Sequence, residues 1–297
     1  MAPFRLAHIS DVHLGPLPRV RPRQLLGKRL TGWLNWQRRG RTMGTETLDA
    51  IVNDLVHHAP DHVAVTGDLT NLALPQEIGR AAAWMATLAP PGKLSTVPGN
   101  HDAYVPGAVE AATRAWSGHM RGERIEDAPF PYLRRLGGIA LIGCSSAEAT
   151  PPFVAAGPFR ADQAERLAKL LHRARDAFRV VLIHHPPFQG AIVRRKAMRG
   201  IALFQSTVRE AGAELILHGH THLPTQTSFD TPRGAVPVIG VAAAGQAPGG
   251  HRPAARWNLF EIDRAAGGWT CTQIERGIGS DRTVGEIARR DLAVPGS

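Results

Sequence analysis

Leu215-Ile216-Leu217-His218-Gly219-His220-Thr221-His222 is a short aliphatic run that ends in three imidazoles spaced two residues apart. Consecutive aliphatic residues without alternation suit a strand buried on both faces. Gly219 between the imidazoles permits close backbone approach. The same pattern recurs along the chain. Phe4–Ile9 runs into Asp11-Val12-His13, His62–Val65 into Gly67-Asp68, and Leu94–Val97 into Gly99-Asn100-His101-Asp102. Val180–Ile183 runs into His184-His185-Pro186, and Ile139–Ile142 is a further strand-like run. In open α/β folds ligands collect outside the carboxyl ends of strands, so five strands are expected to deliver carboxylate, amide and imidazole groups to one edge.

Helical patterns separate several of these runs. Thr45–His58 carries Leu48, Ile51, Val52, Leu55 and Val56 at helical spacing. Asp162–Asp176 carries Leu167, Leu170 and Leu171, with Asp162 as the expected cap and Glu165 three residues on. Leu203–Ala211 stops at Gly212. Strand–helix alternation predicts a layered α/β fold. Toward the end, Val236–Val241, Trp257–Ile262 and Trp269–Ile274 follow one another without a helix, which predicts a more antiparallel sheet and hence two sheets inside helices. Residues 1–277 are read as one domain, with an insertion at 17–42 and a tail at 278–297 expected to be a short helix or frayed.

Composition narrows the class. With 297 residues, 43% hydrophobic and 20% charged, the chain can bury a large core, against disorder or a fibre. No leader of signal-peptide type opens it and no run reaches 18 apolar residues, so a cytoplasmic protein is expected. Cys144 and Cys271 are too few for a disulfide framework, and Cys144 reads as a small strand hydrophobe. The net charge is +10, with eight basic and no acidic residues from Arg19 to Arg41 and a second knot at Arg194, Arg195, Lys196 and Arg199. Such patches attract anions, or simply keep an Arg-rich surface soluble.

Taken singly, each polar ending has an ordinary reading as a turn or cap. Taken together, this many Asp and His side chains at buried strand ends would carry a heavy desolvation penalty unless they bind metal. The order D-x-H, G-D, G-N-H-D, H-x-P and G-H-x-H resembles that of the calcineurin-like metallophosphoesterase superfamily, across residues 11–222. The resemblance implies an α/β four-layer αββα sandwich, two mixed sheets flanked by helices. It also implies that Asp11, His13 and His222 hold one metal, that Asn100, His184 and His220 hold the other, and that Asp68 bridges them. His184 is chosen over His185 because the family's ligand lies two positions before the Pro; His185 and His218 are then supporting residues. Imidazole and carboxylate without thiolate suit manganese, iron or zinc.

The expected mechanism is attack on phosphorus by a hydroxide bridging the two metals. His101 is assigned to the leaving oxygen, with Asp102 orienting it. Asn100, His101, Arg194 and Arg195 are the candidate substrate contacts. Phosphodiesters, cyclic nucleotides among them, lead, because the motifs most resemble the bacterial class III cyclic nucleotide phosphodiesterases; no nucleic-acid partner is expected. The insertion LLGKRLTGWLNWQRRGR sets Leu25, Leu26, Leu30, Trp33, Leu34 and Trp36 beside basic residues. This suits an element at the anionic inner face of a membrane, a lid over the site, or packing on the core, and the three remain open. It resembles the UDP-diacylglucosamine pyrophosphate hydrolases, which gives a lipid pyrophosphate as the alternative substrate. A non-catalytic metal- or anion-binding scaffold is the third reading, disfavoured because all seven ligand positions stand.

Overall fold

The computed structural model describes residues 2–39 and 44–295. Its strands are β1 (Phe4–Ile9), β2 (His62–Val65), β3 (Leu94–Thr96), β4 (Glu123–Arg124), β5 (Tyr132–Leu136), β6 (Ile139–Gly143), β7 (Gly157–Pro158) and β8 (Phe178–Leu182). They continue with β9 (Met198–Arg199), β10 (Leu215–His218), β11 (Thr225–Thr231), β12 (Gly234–Gly240), β13 (Arg256–Ala265), β14 (Gly268–Ile278) and β15 (Val284–Leu292). The helices are α1 (Lys28–Arg39), α2 (Thr45–His57), α3 (Pro75–Leu88), α4 (Ala108–Ala115), α5 (Ala161–Arg173) and α6 (Ile201–Ala211).

Two large mixed sheets carry the fold. The first has the order β15-β14-β13-β1-β2-β3, and the second β11-β12-β10-β8-β6-β5-β4. In the first, β1, β2 and β3 are mutually parallel while β13, β14 and β15 run antiparallel to their neighbours. In the second, β6, β8, β10 and β12 are parallel, closed by antiparallel β5 and β11.

The second sheet shows why its strands look continuously apolar. Leu141, Val180, Leu182, Leu215, Leu217 and Ile239 enter a core shared with the first sheet. The alternate residues Ala140, Ile142, Val181, Ile183, Ile216 and Val238 enter a core with Leu167 and Leu171 of α5 and Phe204 and Val208 of α6. Side chains alternate across a strand, so a sheet buried on both faces shows no polar period. Leu48, Ile51 and Leu55 of α2 and Ile78, Ala81 and Met85 of α3 join the first sheet's core. The result is the four-layer αββα arrangement, with helices flanking both sheets.

Two local expectations are corrected. The tail is neither helical nor frayed over residues 284–292: β15 is the edge strand of the first sheet, paired with β14 from Ile278↔Val284 to Cys271↔Leu292. An edge strand satisfies its backbone on one neighbour while its other edge and one face meet water, so Glu286, Arg289 and Arg290 hide it from an apolarity reading. Asp162 is not the cap of α5. The helix begins at Ala161 with Arg160 at the N-cap, and Asp162, in the first turn, accepts a hydrogen bond from Arg166 Nη2 at 2.8 Å.

Candidate dinuclear metal site

The carboxyl ends of β1, β2, β3, β8 and β10 meet on one edge, where each parallel strand hands its chain to a loop. The loop after β1 stays paired with that after β2: Asp11 N donates to Gly67 O (3.0 Å) and His13 N to Asp68 O (2.9 Å). The loop after β10 is tied to both sheets, since Gly219 N donates to His184 O (3.0 Å) and His220 N to Asp11 Oδ2 (2.9 Å). Glycine is needed at two of these crossings. A Cβ on Gly99 would overlap Asp68, and one on Gly219 would overlap Ser10 Oγ.

Two groups of donor atoms result. Asp11, His13, Asp68 and His222 offer one set, Asp68, His184 and His220 the other, with the donor atoms of each within 4.8 Å of one another. Asp68 belongs to both. Its Oδ2 lies 3.4 Å from His184 Nε2 and 3.8 Å from His13 Nε2. Asn100, whose Oδ1 is 3.1 Å from His184 Nε2, sits with the second set.

The imidazoles are aimed by their far nitrogens. His184 Nδ1 contacts Thr66 O (2.7 Å), His13 Nδ1 contacts Thr70 O (3.1 Å) and His220 Nε2 contacts Lys196 O (2.9 Å). A carbonyl only accepts, so each of these nitrogens carries the proton and the opposite nitrogen points a lone pair inward. Those inward nitrogens crowd together: His184 Nε2 is 3.2 Å from His220 Nδ1, and His13 Nε2 is 3.3 Å from His222 Nε2. Asp11 Oδ1 is buried, with only His222 Nε2 facing it at 3.2 Å in poor hydrogen-bond geometry. Converging imidazole nitrogens and a buried carboxylate oxygen are the donor set a cation completes, and the all-nitrogen-and-oxygen chemistry fits a first-row divalent or trivalent metal.

Burial and mutual repulsion keep His13 and His220 in ligand form. Burial, then the neighbouring His101, lowers His13 to about 3. Burial, then His185 and His184, holds His220 well below the usual imidazole value. Burial alone would raise the pKa of Asp68, but His184, His101 and His13 together hold it well below the carboxylate range. Burial opposes protonation of His184, yet the Asp68 carboxylate pushes its pKa up to about 9; without a cation, this pair holds a proton in its place. Backbone strain concentrates here too. Asp11, His13, Asp68, His220 and His222 all have positive φ, between 44° and 70°. Such non-glycine residues persist where the surrounding fold over-determines them, chiefly at functional sites.

The calcineurin-like phosphoesterase family model matches residues 4–224. The chain belongs to the calcineurin-like phosphoesterase family. Solved structures agree on the fold. A dimetal phosphatase from Danio rerio is 12% identical with a TM-score of 0.60, and all of both chains is covered. Purple acid phosphatase PPD1 from yellow lupin seeds is 14% identical with a TM-score of 0.58 over 98% of this chain and 53% of that one. NAD nucleotidase from Haemophilus influenzae is 14% identical with a TM-score of 0.52 over 96% and 53%. No curated protein matches in sequence.

Within this phosphoesterase fold the expected pairing of Asp102 with His101 is corrected. The buried Asp102 carboxylate accepts from the backbone N–H groups of Asp68 (2.9 Å), Gly99 (2.9 Å) and Thr70 (2.9 Å) and from Thr70 Oγ1 (3.0 Å). It therefore fixes the loops that carry Asp68 and Asn100. Burial and the nearby Asp68 charge raise its pKa to about 6. His101 is oriented by other means: Nδ1 bonds Asn71 O (2.7 Å), and the ring stacks on Tyr104 with centroids 5.3 Å apart. Asn71 is held in turn by Glu77, whose carboxylate accepts from the backbone N–H of Asn71, Leu72 and Leu74. The opposite edge of His101 is thereby committed to a cleft of about 330 Å³ lined also by His13, Asp68, Asn100, His220 and His222.

Arg194 and Arg195 lie exposed in a 3-10 turn, and neither lines that cleft; Lys196, the next residue, does. Of the insertion, Trp36 and Gly32 line the cleft, and Trp33 packs against the apolar cluster of Leu72, Leu74 and Tyr104. Arg41 lies outside the described residues. His185 is engaged by Ser146 Oγ (2.7 Å) and Ala155 O (2.9 Å), and His218 by Gly219 O and Thr225 Oγ1. Sequence reasoning missed Asn71 and Tyr104 as cleft residues, and Glu77 as the support of Asn71. Only the T-N-L-A-L-P-Q-E stretch from Thr70 to Glu77, with Glu77 two residues after Pro75, carried a signal, as a helix start.

Proposed function

We propose that this chain hydrolyses phosphodiester bonds at a two-metal centre, with cyclic nucleotides among the first substrates to test. The observation that carries the reading is Asp68, one buried carboxylate shared by two donor sets beneath a cleft that His101 also lines. Asp11, His13 and His222 would hold one ion and Asn100, His184 and His220 the other. When bound, such a pair supplies Lewis acidity for a phosphoryl group and a nucleophile from water near neutral pH.

The chain's own residues do the rest. His101, held by Asn71 O and Tyr104, presents its ring edge to the leaving oxygen, to protonate it or to stabilise its charge. Asp102 keeps the Asp68 and Asn100 loops in register, so a displaced substrate is not needed to organise them. Turnover of bis(p-nitrophenyl) phosphate after loading with manganese tests the reading. Metal-saturated, folded protein without turnover on any diester contradicts it.

A second reading, a hydrolase for a lipid-linked pyrophosphate of the UDP-diacylglucosamine type working at an anionic membrane surface, is supported by α1. Leu30 and Leu34, one turn apart on α1, are 46% and 47% exposed, and Leu26 just before the helix is 77% exposed. Exposed Arg19, Arg21 and Arg23 precede them. Apolar side chains outside and cations beside them are what an interfacial element needs. Among the described residues no helix is long and apolar enough to cross a membrane. Co-sedimentation with phosphatidylglycerol vesicles, lost in L30S/L34S, supports this reading; equal recovery of both proteins in the supernatant contradicts it.

A further inference from the structure

Helix α1 is fastened over the catalytic edge at several points. Lys28 Nζ donates to Thr150 Oγ1 (2.7 Å) and Val154 O (2.9 Å) and sits 4.8 Å from the centre of the Tyr104 ring. Arg29 donates through Nε to Leu72 O (3.0 Å) and through Nη2 to Ala73 O (2.7 Å). One turn later Gly32 is buried, and a Cβ there would overlap Tyr104 Oη and come within 2.7 Å of Leu72 Cδ2. Residues 28, 29, 32, 33 and 36 fall on one side of a helix with 3.6 residues per turn, and Leu30 and Leu34 fall on the other. The ring that receives α1, Tyr104, is the ring that stacks on His101. The described inner face of α1 is therefore a wall of the site.

The wall has a definite chemistry. Gly32 and Asn35 leave room, and Trp36 supplies a large apolar face. Ile192 and Ala155 line the same cleft, while Lys196 and Arg252 supply cationic groups. About 330 Å³ lies within the range of small-molecule pockets and holds far more than one phosphoryl group. An indole gains little from a charged, strongly hydrated phosphate. It gains from an apolar or aromatic group laid on its face.

We infer that the substrate is a phosphodiester whose retained ester arm, the one that stays on phosphorus after hydrolysis, is bulky and apolar or aromatic, and that Trp36 is the residue that selects for that arm. This rests on the phosphodiesterase reading above and narrows its substrate class. The metal ligands and His101 act on the phosphoryl group common to every diester; Trp36 meets only what the phosphoryl group carries.

Two measurements test it. The first compares kcat/KM for methyl p-nitrophenyl phosphate and phenyl p-nitrophenyl phosphate, which share one leaving group, in manganese-loaded wild type, W36A, W36F and L34S. Wild type and L34S should favour the phenyl arm roughly tenfold, mainly through KM. W36A should compress the ratio to within about twofold, with W36F between, because its ring keeps part of the stacking face. The second, independent of turnover, is calorimetric binding of phenylphosphonate against methylphosphonate, with circular dichroism showing each variant folded. The same Trp36-dependent preference is expected. Equal kcat/KM for the two arms in wild type, or a preference that W36A and W36F both retain, overturns the inference while hydrolysis of the methyl ester leaves the phosphodiesterase reading intact. Absence of turnover on both esters refutes that reading, and equal phosphonate binding refutes the Trp36 assignment whatever the turnover.

Discussion

Replacing Asp102 with Ala separates the role the structure gives this residue from the role expected of a carboxylate beside a catalytic histidine. The side chain accepts hydrogen bonds from four backbone N–H groups, those of Asp68, Leu69, Thr70 and Gly99, and Asp102 is fully buried. Removing it orphans all four. A buried donor left unsatisfied costs about 1–3 kcal/mol, and losses above about 5 kcal/mol are exceptional for one substitution, so roughly 3–5 kcal/mol is expected. That corresponds to a fall in Tm on the order of 10 °C. Asn keeps one acceptor oxygen and can serve the Asp68 and Gly99 side, leaving the Thr70 N–H facing an amide NH₂; about 1–3 kcal/mol is expected there. Thermal unfolding by circular dichroism, with metal content by plasma mass spectrometry on the same samples, reads both effects. D102A should unfold earlier and lose metal, because Asp68 is no longer held. An unchanged Tm and full metal content beside a large loss of turnover would refute the reasoning and return Asp102 to the role of orienting His101.

Three further outcomes follow from the same geometry. H101A should lower turnover by about 10²–10⁴ while the metal content stays at the wild-type value, since His101 belongs to neither donor set; loss of metal would contradict this, as would turnover within about twofold. Metal uptake should release a proton, because in the metal-free protein the pKa of His184 is pushed up to about 9 by Asp68 despite burial. Below that pH the cation must displace the proton, so apparent affinity should climb by about tenfold per pH unit between roughly pH 7 and 9 and level off above; calorimetric titration showing no pH dependence would refute it. G99A should lose metal affinity without unfolding, because its Cβ meets both the side chain and the backbone N of Asp68 and not the apolar core; wild-type affinity would show that the loop yields freely.

Much of the fold was legible because the strands that build the site are buried on both faces. Phe4–Ile9 and His62–Val65 end where their aliphatic runs end, and the donor residues Asp11 and Asp68 follow in the loops just beyond. The less legible parts are those where side-chain chemistry does not decide the conformation. β11 reads Thr-Gln-Thr-Ser-Phe-Asp-Thr and β15 carries Glu286, Arg289 and Arg290, yet both are edge strands that gain order from backbone pairing. In the site, donor residues were readable by type, but what aims them was not. His184, His13, His220 and His101 are oriented by the carbonyls of Thr66, Thr70, Lys196 and Asn71, and every residue has a carbonyl. For α1, composition showed apolar and basic residues mixed, but it did not show that Trp33 and Trp36 turn inward and that Leu30 and Leu34 turn out. That choice is made by Gly32 against Tyr104, a contact across seventy-two positions of sequence.

The central claim is that Asp68 joins two metal positions, and titration with manganese followed by electron paramagnetic resonance tests it most directly. Wild type should bind two equivalents and give the spectrum of a spin-coupled pair, while D68N, folded by circular dichroism, should bind more weakly and show no coupling. A wild type that saturates at one ion or none, or a D68N protein that keeps a coupled pair, would contradict the account.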